Sequence, residues 1–559
     1  MMRSKYILFG VALLTALTVL VFLKERALIE FVTPFFPQDP EKSRGYYEDL
    51  AHIILIDVVL CVWSVLLILY LLINTNARRA FIGAENFLLT SPHKSVWYIL
   101  LAGTIITIWI GAGALDQFPN SADEYVYLFQ AEDMSQGRLW SEVHDVPEFF
   151  EFHHLLQKDG KWIGRFPPGY PALLAIAFIL HIPPFLINVV LGMVFLFFFH
   201  RFVREVYNER VAMWALLTMT FTGFFIFNAA SFFSHVASGL FCLICILMLY
   251  RYFRQANGTS ALLAGFFLGL AVVTRYYTAA LIFLPFAAYA IYNLRTRSIP
   301  LFLWMAVGGI LPMASLLWYN YATTGNALIP VTQWGFDDEA LGFVKGHSPA
   351  KGVKYTMKRL ALFVYWCSPQ LLVLYLFYLI QKVRKLREAI EHPEDYLFVI
   401  LIIGYFFYYH SGGNQYGPRF YFEALPFLIV FVVVRVLNSG AKFPLALFIS
   451  AIVIHVVKIP FIAAHEHQVV MERQDVFTQV ERKGITNAIV FISTDVSVLR
   501  PMPPEDINRN DKNYQNEVLY ARDMGVENKR LAQYYPSRNF FRYVRDNDKR
   551  EGVLIPVKF

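Results

Sequence analysis

The chain has 559 residues, of which 57% are hydrophobic, 17% aromatic and 16% charged. Soluble domains carry roughly 25% charged residues, and the apolar residues here fall in runs long enough to cross a bilayer, which excludes a soluble globule, a disordered chain, a collagen-like fibre and a disulfide scaffold. The net charge of +7 needs no nucleic acid to explain it, because a polytopic membrane protein gathers Lys and Arg in its cytoplasmic loops for orientation alone.

Apolar windows of about twenty residues predict spans near 6–23, 51–73, 96–115, 171–202, 211–229, 236–253, 259–274, 277–294, 300–319, 360–381, 395–409, 421–437 and 443–460, about thirteen helices in all. The stretch 171–202 is interrupted by Pro183-Pro184, as expected of a short interfacial helix followed by a true span. With the N-terminus in the cytoplasm, the short inner loops hold Arg201, Arg204 and Arg210, then Arg251 and Arg254, then Arg295 and Arg297. The larger pieces 116–170, 320–359 and 461–559 then lie outside, the C-terminus with them. Residues 1–460 thus read as a transmembrane domain. From 461 the pattern turns mixed and charged, with strand-like runs at 488–492, 518–520 and 553–557 and a helix beginning near Val526, a small extracytoplasmic α/β domain.

The first outer loop, 116–170, carries ten acids and four basic residues. Asp123-Glu124, with Tyr127 one helical turn beyond Asp123, puts adjacent carboxylates just above the bilayer. There one can accept a proton from a hydroxyl while the other orients a polar substrate. The same residues also fit a capping box opened by Ser121. The loop ends in Gly164-Arg165-Phe166-Pro167-Pro168-Gly169, whose prolines fix where Arg165 points. A guanidinium at that depth matches a lipid-linked phosphate, although a snorkelling arginine reads identically. His235 after Ser234, and Arg275 at the outer junction of two spans, reach the same face. So does the dense segment 410–423, with His410, Tyr416, Arg419 and Glu423, where glycines permit backbone approach to a ligand and Glu423, one helical turn past Arg419, can aim its guanidinium. In the second outer loop Asp337-Asp338-Glu339, Lys345 and His347 read as a solvated surface. Cys242 and Cys245 read as small residues packed in a helix. No phosphate-binding P-loop, dinucleotide fingerprint or H-E-x-x-H motif is present.

Asp123-Glu124 early in the first outer loop, followed by Tyr127, Ala131 and Gly137, with a Pro-Pro turn at the loop's end, resembles the glycosyltransferase C superfamily. The nearest branch is the bacterial one related to protein O-mannosyltransferases and the lipid A aminoarabinose transferase. The resemblance implies a polytopic helical fold of glycosyltransferase C type in a bacterial inner membrane. It implies that Asp123 is the catalytic acid, Pro167-Pro168 the turn, and Arg165, displaced by Phe166 from the family's register, the basic position for the donor phosphate. The implied donor is a polyprenyl-phosphate sugar, and the acceptor a glycan, lipid or protein hydroxyl attacked with inversion. Glu124, Tyr127, Arg165, His235, Arg275, His410, Tyr416, Arg419 and Glu423 are the expected substrate-binding residues. No cofactor is expected, since guanidinium can neutralise a leaving phosphate, though the acidic loop leaves room for a divalent cation. The competing reading is a transporter or flippase of lipid-linked substrates. It would place ionisable groups at mid-membrane, whereas here they gather at one face.

Overall fold

The computed structural model describes residues 59–70, 75–336, 341–344, 346–385, 391–410, 412–493, 504–545 and 551–559. Most are helical. Among them six helical stretches are long and apolar enough to cross a membrane, one of them, Gly258–Thr324, holding two helices, or up to eight stretches if two bent pairs each make one span, as in a multi-pass membrane protein. The expected span 6–23 and the residues Asp337-Asp338-Glu339 and Lys345 lie outside the described residues.

Several of the expected runs are built as short or bent pieces, and 171–202 divides as expected. The run 171–202 divides into Gly169–Leu180 and Phe185–Val206 around Pro183-Pro184. The run 211–229 becomes Glu209–Thr220 and Gly223–Ala230, bent by 61°. The run 360–381 is Pro349–Trp366 followed, after a 118° bend, by Pro369–Val383. There Ser368 caps the second piece by accepting from Leu371 N–H, and Pro369 occupies the first helical turn, so the chain restarts rather than continues. The 320–359 stretch is shorter as a loop than expected, because the Ser298–Thr324 helix enters it from one side and Pro349–Trp366 from the other.

His235–Gln255 and Leu425–Ser439 run through the middle of the bundle, buried along nearly their whole length. Gly258–Leu294 and Ser298–Thr324 pack at backbone contact. A Cβ at Gly265 would stand 1.9 Å from the Met305 carbonyl oxygen, and one at Gly308 1.9 Å from that of Leu262, so only glycine allows this approach.

Two small sheets lie at the end of the bundle that carries the first large loop. That loop folds as β1 (Ser141–Glu142), β2 (Leu155–Lys158) and β3 (Lys161–Gly164), an antiparallel sheet in the order β1-β3-β2. The tail forms β4 (Ala488–Ile492), β5 (Val518–Arg522), β6 (Asn539–Arg545) and β7 (Gly552–Val557), in the order β5-β4-β6-β7. β4 is parallel to both of its neighbours, and β7 is antiparallel to β6. The central strand is buried at every residue, as its unbroken apolar sequence requires. β6 was not among the expected strands. The position 460/461, where the sequence changes character, lies inside one continuous helix, Lys442–Arg482, which carries the chain from the bundle into the tail. Phe149 and Phe150 of the first loop pack with Ile489, Phe491, Leu519 and Leu531 of the tail, so loop and tail share a core.

Candidate active site

The helix Ala122–Ser135 opens the site. Ser121 caps it by accepting from Glu124 N–H, while Glu124 reaches back to accept from Asn120 N–H at 2.8 Å and across to accept from Phe232 N–H at 3.0 Å. Consecutive helical residues point about 100° apart, so with Glu124 turned into these backbone donors Asp123 faces the other way. Burial dominates at Glu124 and, despite the two backbone donors, pushes its carboxyl up to about 7. Burial also acts to raise Asp123. Arg419, then His154, outweighs it and holds the carboxyl down to about 2, with the side chain 26% exposed. Two adjacent carboxyls thus have opposite tasks, one structural and one ionised beside open space.

That space is a cavity of about 230 Å³, lined among others by Asp123, Tyr127, Arg165, His235, Arg275, His410 and Arg419. Arg419 Nη2 donates to Asp123 Oδ2 at 2.9 Å, and its guanidinium lies 3.5 Å over the Phe233 ring. Gly413 and Gly417, with φ of 74° and 110°, supply the left-handed turns that bring the 412–418 segment round to deliver it. Arg275 sits where Gly258–Leu294 leaves helical conformation, at φ −151° and ψ 78°. This break aims its guanidinium inward, with Nε 3.3 Å from Glu423 Oε1 and long contacts of 3.5 Å to Ser234 Oγ and Tyr405 OH. Tyr127 OH pairs with Ser234 Oγ at 2.9 Å.

The expected aiming of Arg419 by Glu423 does not occur. Residues 419–424 form a 3-10 helix with three residues per turn, so positions four apart no longer share a face. Glu423 turns instead to Arg275 and to His235 Nδ1, 3.5 Å away, from a fully buried position behind the cavity. Two other expected residues do not line it. Glu124 is occupied as described, and Tyr416 is buried among the rings of Phe227, Phe233 and Trp366. His347, expected in a solvated loop, is buried with Nε2 3.0 Å from the Phe406 carbonyl oxygen.

Sequence reasoning missed His154. Its Nε2 stands 3.4 Å from Asp123 Oδ1, and its Nδ1 accepts from Arg165 Nη1 at 3.2 Å, which leaves the ring proton on Nε2, facing the carboxylate. Burial pushes this imidazole down to about 4, more than Asp123 raises it. The one signal was a histidine pair in an acidic loop. Tyr405, Thr274 and Thr278 also line the cavity and carry no motif at all, and Phe420 lines it from within the 410–423 segment. No group of three or more His, Cys, Asp or Glu side chains suited to a metal occurs among the described residues.

This arrangement of an ionised carboxylate among three arginines sits on a backbone that has solved counterparts. ArnT from Cupriavidus metallidurans bound to undecaprenyl phosphate superposes with a TM-score of 0.50 at 11% identity, covering 80% of this chain and 92% of that one. The chain has a glycosyltransferase C-type fold. The apo state of the same ArnT gives 0.48 at 10% identity, over 81% and 93% of the two chains. An Archaeoglobus fulgidus oligosaccharyltransferase gives 0.44 at 13%, over 73% and 60%. No family model and no curated protein matches the sequence.

Proposed function

We propose that the protein is a membrane glycosyltransferase that moves a sugar from a polyprenyl-phosphate donor to an acceptor hydroxyl at the extracytoplasmic face. The observation that carries this reading is Asp123, ionised and cavity-facing, with Arg165, Arg275 and Arg419 around the same space. The fold shared with an ArnT bound to undecaprenyl phosphate supports the donor class.

In this mechanism the donor's phosphate enters among the guanidiniums. A carboxylate held at about 2 is a weak base, but Arg419 also holds Nε and Nη1 with which to meet a phosphate. As it does so, its grip on Asp123 loosens and the carboxylate gains basicity where it is needed. The acceptor oxygen then attacks the anomeric carbon from the side opposite the phosphate, its proton passes to Asp123, and the bond from anomeric carbon to phosphate oxygen breaks. The bonding pair leaves on the polyprenyl phosphate, and the arginines stabilise the added charge, so configuration inverts. The polar lining beyond the charges is neutral, Thr274, Thr278, Thr332 and Gln333, and suits sugar hydroxyls.

The test is to purify the protein from membranes and analyse co-purifying lipid by mass spectrometry, then supply labelled polyprenyl-phosphate sugar. The reading expects a bound isoprenoid phosphate and consumption of the labelled donor that Asp123→Asn lowers by about 10²–10⁴-fold. Turnover unchanged by this substitution, or a protein that neither binds nor consumes isoprenoid phosphates, overturns it.

A further inference from the structure

A second charged recess lies at the other end of the bundle. The Phe185–Val206 helix is fixed near the active site through Asn188, whose Nδ2 donates to the carbonyl oxygens of Ser231 and Phe233 at 2.8 and 2.9 Å. Residues 200–204 lie twelve to sixteen positions further along, roughly 18–24 Å away at 1.5 Å per residue. There this helix and Pro92–Trp109 leave a groove of about 200 Å³ lined by His93, Trp97, Phe197, His200, Arg201 and Arg204, with Val96 at its floor.

Its charge is unbalanced. Glu205 alone serves Arg201, at 2.9 Å, and Arg251, at 2.6 and 2.9 Å, while its backbone carbonyl accepts from Arg254. His200 faces Glu209 at 3.0 Å. Arg204 is exposed and meets no carboxylate within ion-pair distance among the described residues. Beside these cations Trp97 and Phe197 stack with centroids 6.3 Å apart, 59% and 37% exposed on the outside of the bundle, where acyl chains run. Orientation in the membrane requires only that basic residues occur in the loop; it does not require them to line a groove with two histidines and a stacked aromatic pair. A free phosphate would use the cations and leave the aromatic pair idle, whereas a lipid uses both.

We infer that this groove binds the headgroup of an anionic phospholipid, with phosphate at Arg204 and Arg201 and an acyl chain along Trp97 and Phe197. The site is remote from the cavity, and its test does not depend on any transferase activity. The full-length protein, in detergent, is titrated with phosphatidylglycerol or phosphatidylcholine and bound lipid is read by native mass spectrometry. One phosphatidylglycerol should be retained at least fivefold over phosphatidylcholine. Arg204→Gln with His93→Gln should remove that preference, and Arg297→Gln, the loss of one arginine at the same end of the bundle, should keep it. Trp97→Leu keeps every charge and should still weaken lipid retention. Three results overturn the inference: equal retention of the two lipids, retention unaffected by the groove variants, or displacement of the lipid by millimolar inorganic phosphate with Trp97→Leu silent, which would make the ligand a free anion. Should the double variant fail to fold, Trp97→Leu decides the matter alone.

Discussion

Two clusters of acids, bases and tyrosines sit at opposite ends of the bundle, joined by the helix His235–Gln255, and they differ in how much of their hydrogen-bonding capacity the chain itself consumes. At the far end Lys382 donates to the Glu391 carbonyl oxygen at 2.6 Å and to Asp395 Oδ2 at 2.7 Å, and Glu394 accepts from the hydroxyls of Tyr207 and Tyr250 with His392 Nδ1 3.0 Å away. Lys382 and Asp395 are 1% and 6% exposed. At the cavity end Arg419 Nε and His235 Nε2 are buried without a hydrogen bond, and Arg275 Nε and His235 Nδ1 meet Glu423 Oε1 only as ion-pair contacts of 3.3 and 3.5 Å. A closed network of this kind holds helices together. A cluster with unspent donors arranged around open volume is built to meet something else.

The sharpest way to break that contrast is to change one group in each. Asp123→Asn should lower sugar transfer by about 10²–10⁴-fold, the usual worth of a positioned base, while the protein still purifies as a folded species. Lys382→Met should do the reverse. Leaving Asp395 buried without its partner should cost about 3–5 kcal/mol of stability, read as a lowered unfolding midpoint, with turnover per folded molecule unchanged. If Lys382→Met abolishes turnover in protein that remains folded, the far cluster is not merely structural and the comparison fails.

Arg275 tests the middle ground, since it is both buried and cavity-facing. Arg275→Gln should lower kcat/KM by about 10–100-fold, as expected for a lost charge-stabilising donor, and should also destabilise by leaving Glu423 unpaired. Arg275→Gln combined with Glu423→Gln should recover the unfolding temperature but not the activity. Recovery of both would make Arg275 a structural ion pair like Lys382.

The pH dependence separates the two neighbouring carboxyls. Glu124 titrates in the folded state near 7, above the ordinary carboxyl value, so the stability it contributes is complete below that ordinary value and is lost as pH rises through about 7. Asp123, at about 2, has the opposite sign: its contribution is present above the ordinary value and is lost only as pH falls towards 2. Thermal melts should therefore weaken between about pH 4.5 and 7. Glu124→Gln should flatten that slope, and it should lower stability throughout by about 1–3 kcal/mol, because an amide can accept from only one of the two backbone donors it faces.

Much of this was legible in the sequence, for physical reasons. Hydropathy marks where helices lie, because a bilayer demands long apolar runs, and the apolar runs expected as strands at 488–492, 518–520 and 553–557 fall within β4, β5 and β7. β6 was not expected, since Asn539-Phe540-Phe541-Arg542-Tyr543-Val544-Arg545 pairs on both edges and yet mixes two arginines with its aromatic residues and shows no unbroken apolar run. Asp123, Arg275 and Arg419, expected at one face from the paired carboxylates and the charges at the outer ends of spans, line one cavity. His154 was missed because its partner, Asp123, is thirty-one positions away in sequence and only the folding of the first loop brings the two together. The pairing of Glu423 was misread because nothing in the residues 419–424 distinguishes a 3-10 turn from an α-helical one.

The smallest expected effect concerns the opposite face of the Asp123 helix. Tyr125 OH donates to Asp506 Oδ1 at 3.0 Å, Arg473 donates to Asp506 and to Asn120 Oδ1, and Lys512 Nζ donates to the Phe129 carbonyl oxygen at 3.2 Å. Residues from the tail thus grip one side of a helix whose other side presents Asp123. Tyr125→Phe removes a single hydroxyl and leaves Asp506 paired with Arg473, so its cost should be that of one hydrogen bond, about 0.5–1.5 kcal/mol. If the tail only covers the loop, that loss appears in the unfolding temperature alone. If it also sets where Asp123 stands, kcat should fall by about threefold at unchanged KM, because a base displaced by a fraction of an ångström still binds donor but meets the hydroxyl less often in line. Tyr125→Phe with wild-type kcat and a lowered midpoint would assign the tail to stability and return all positioning of Asp123 to Arg419 and His154.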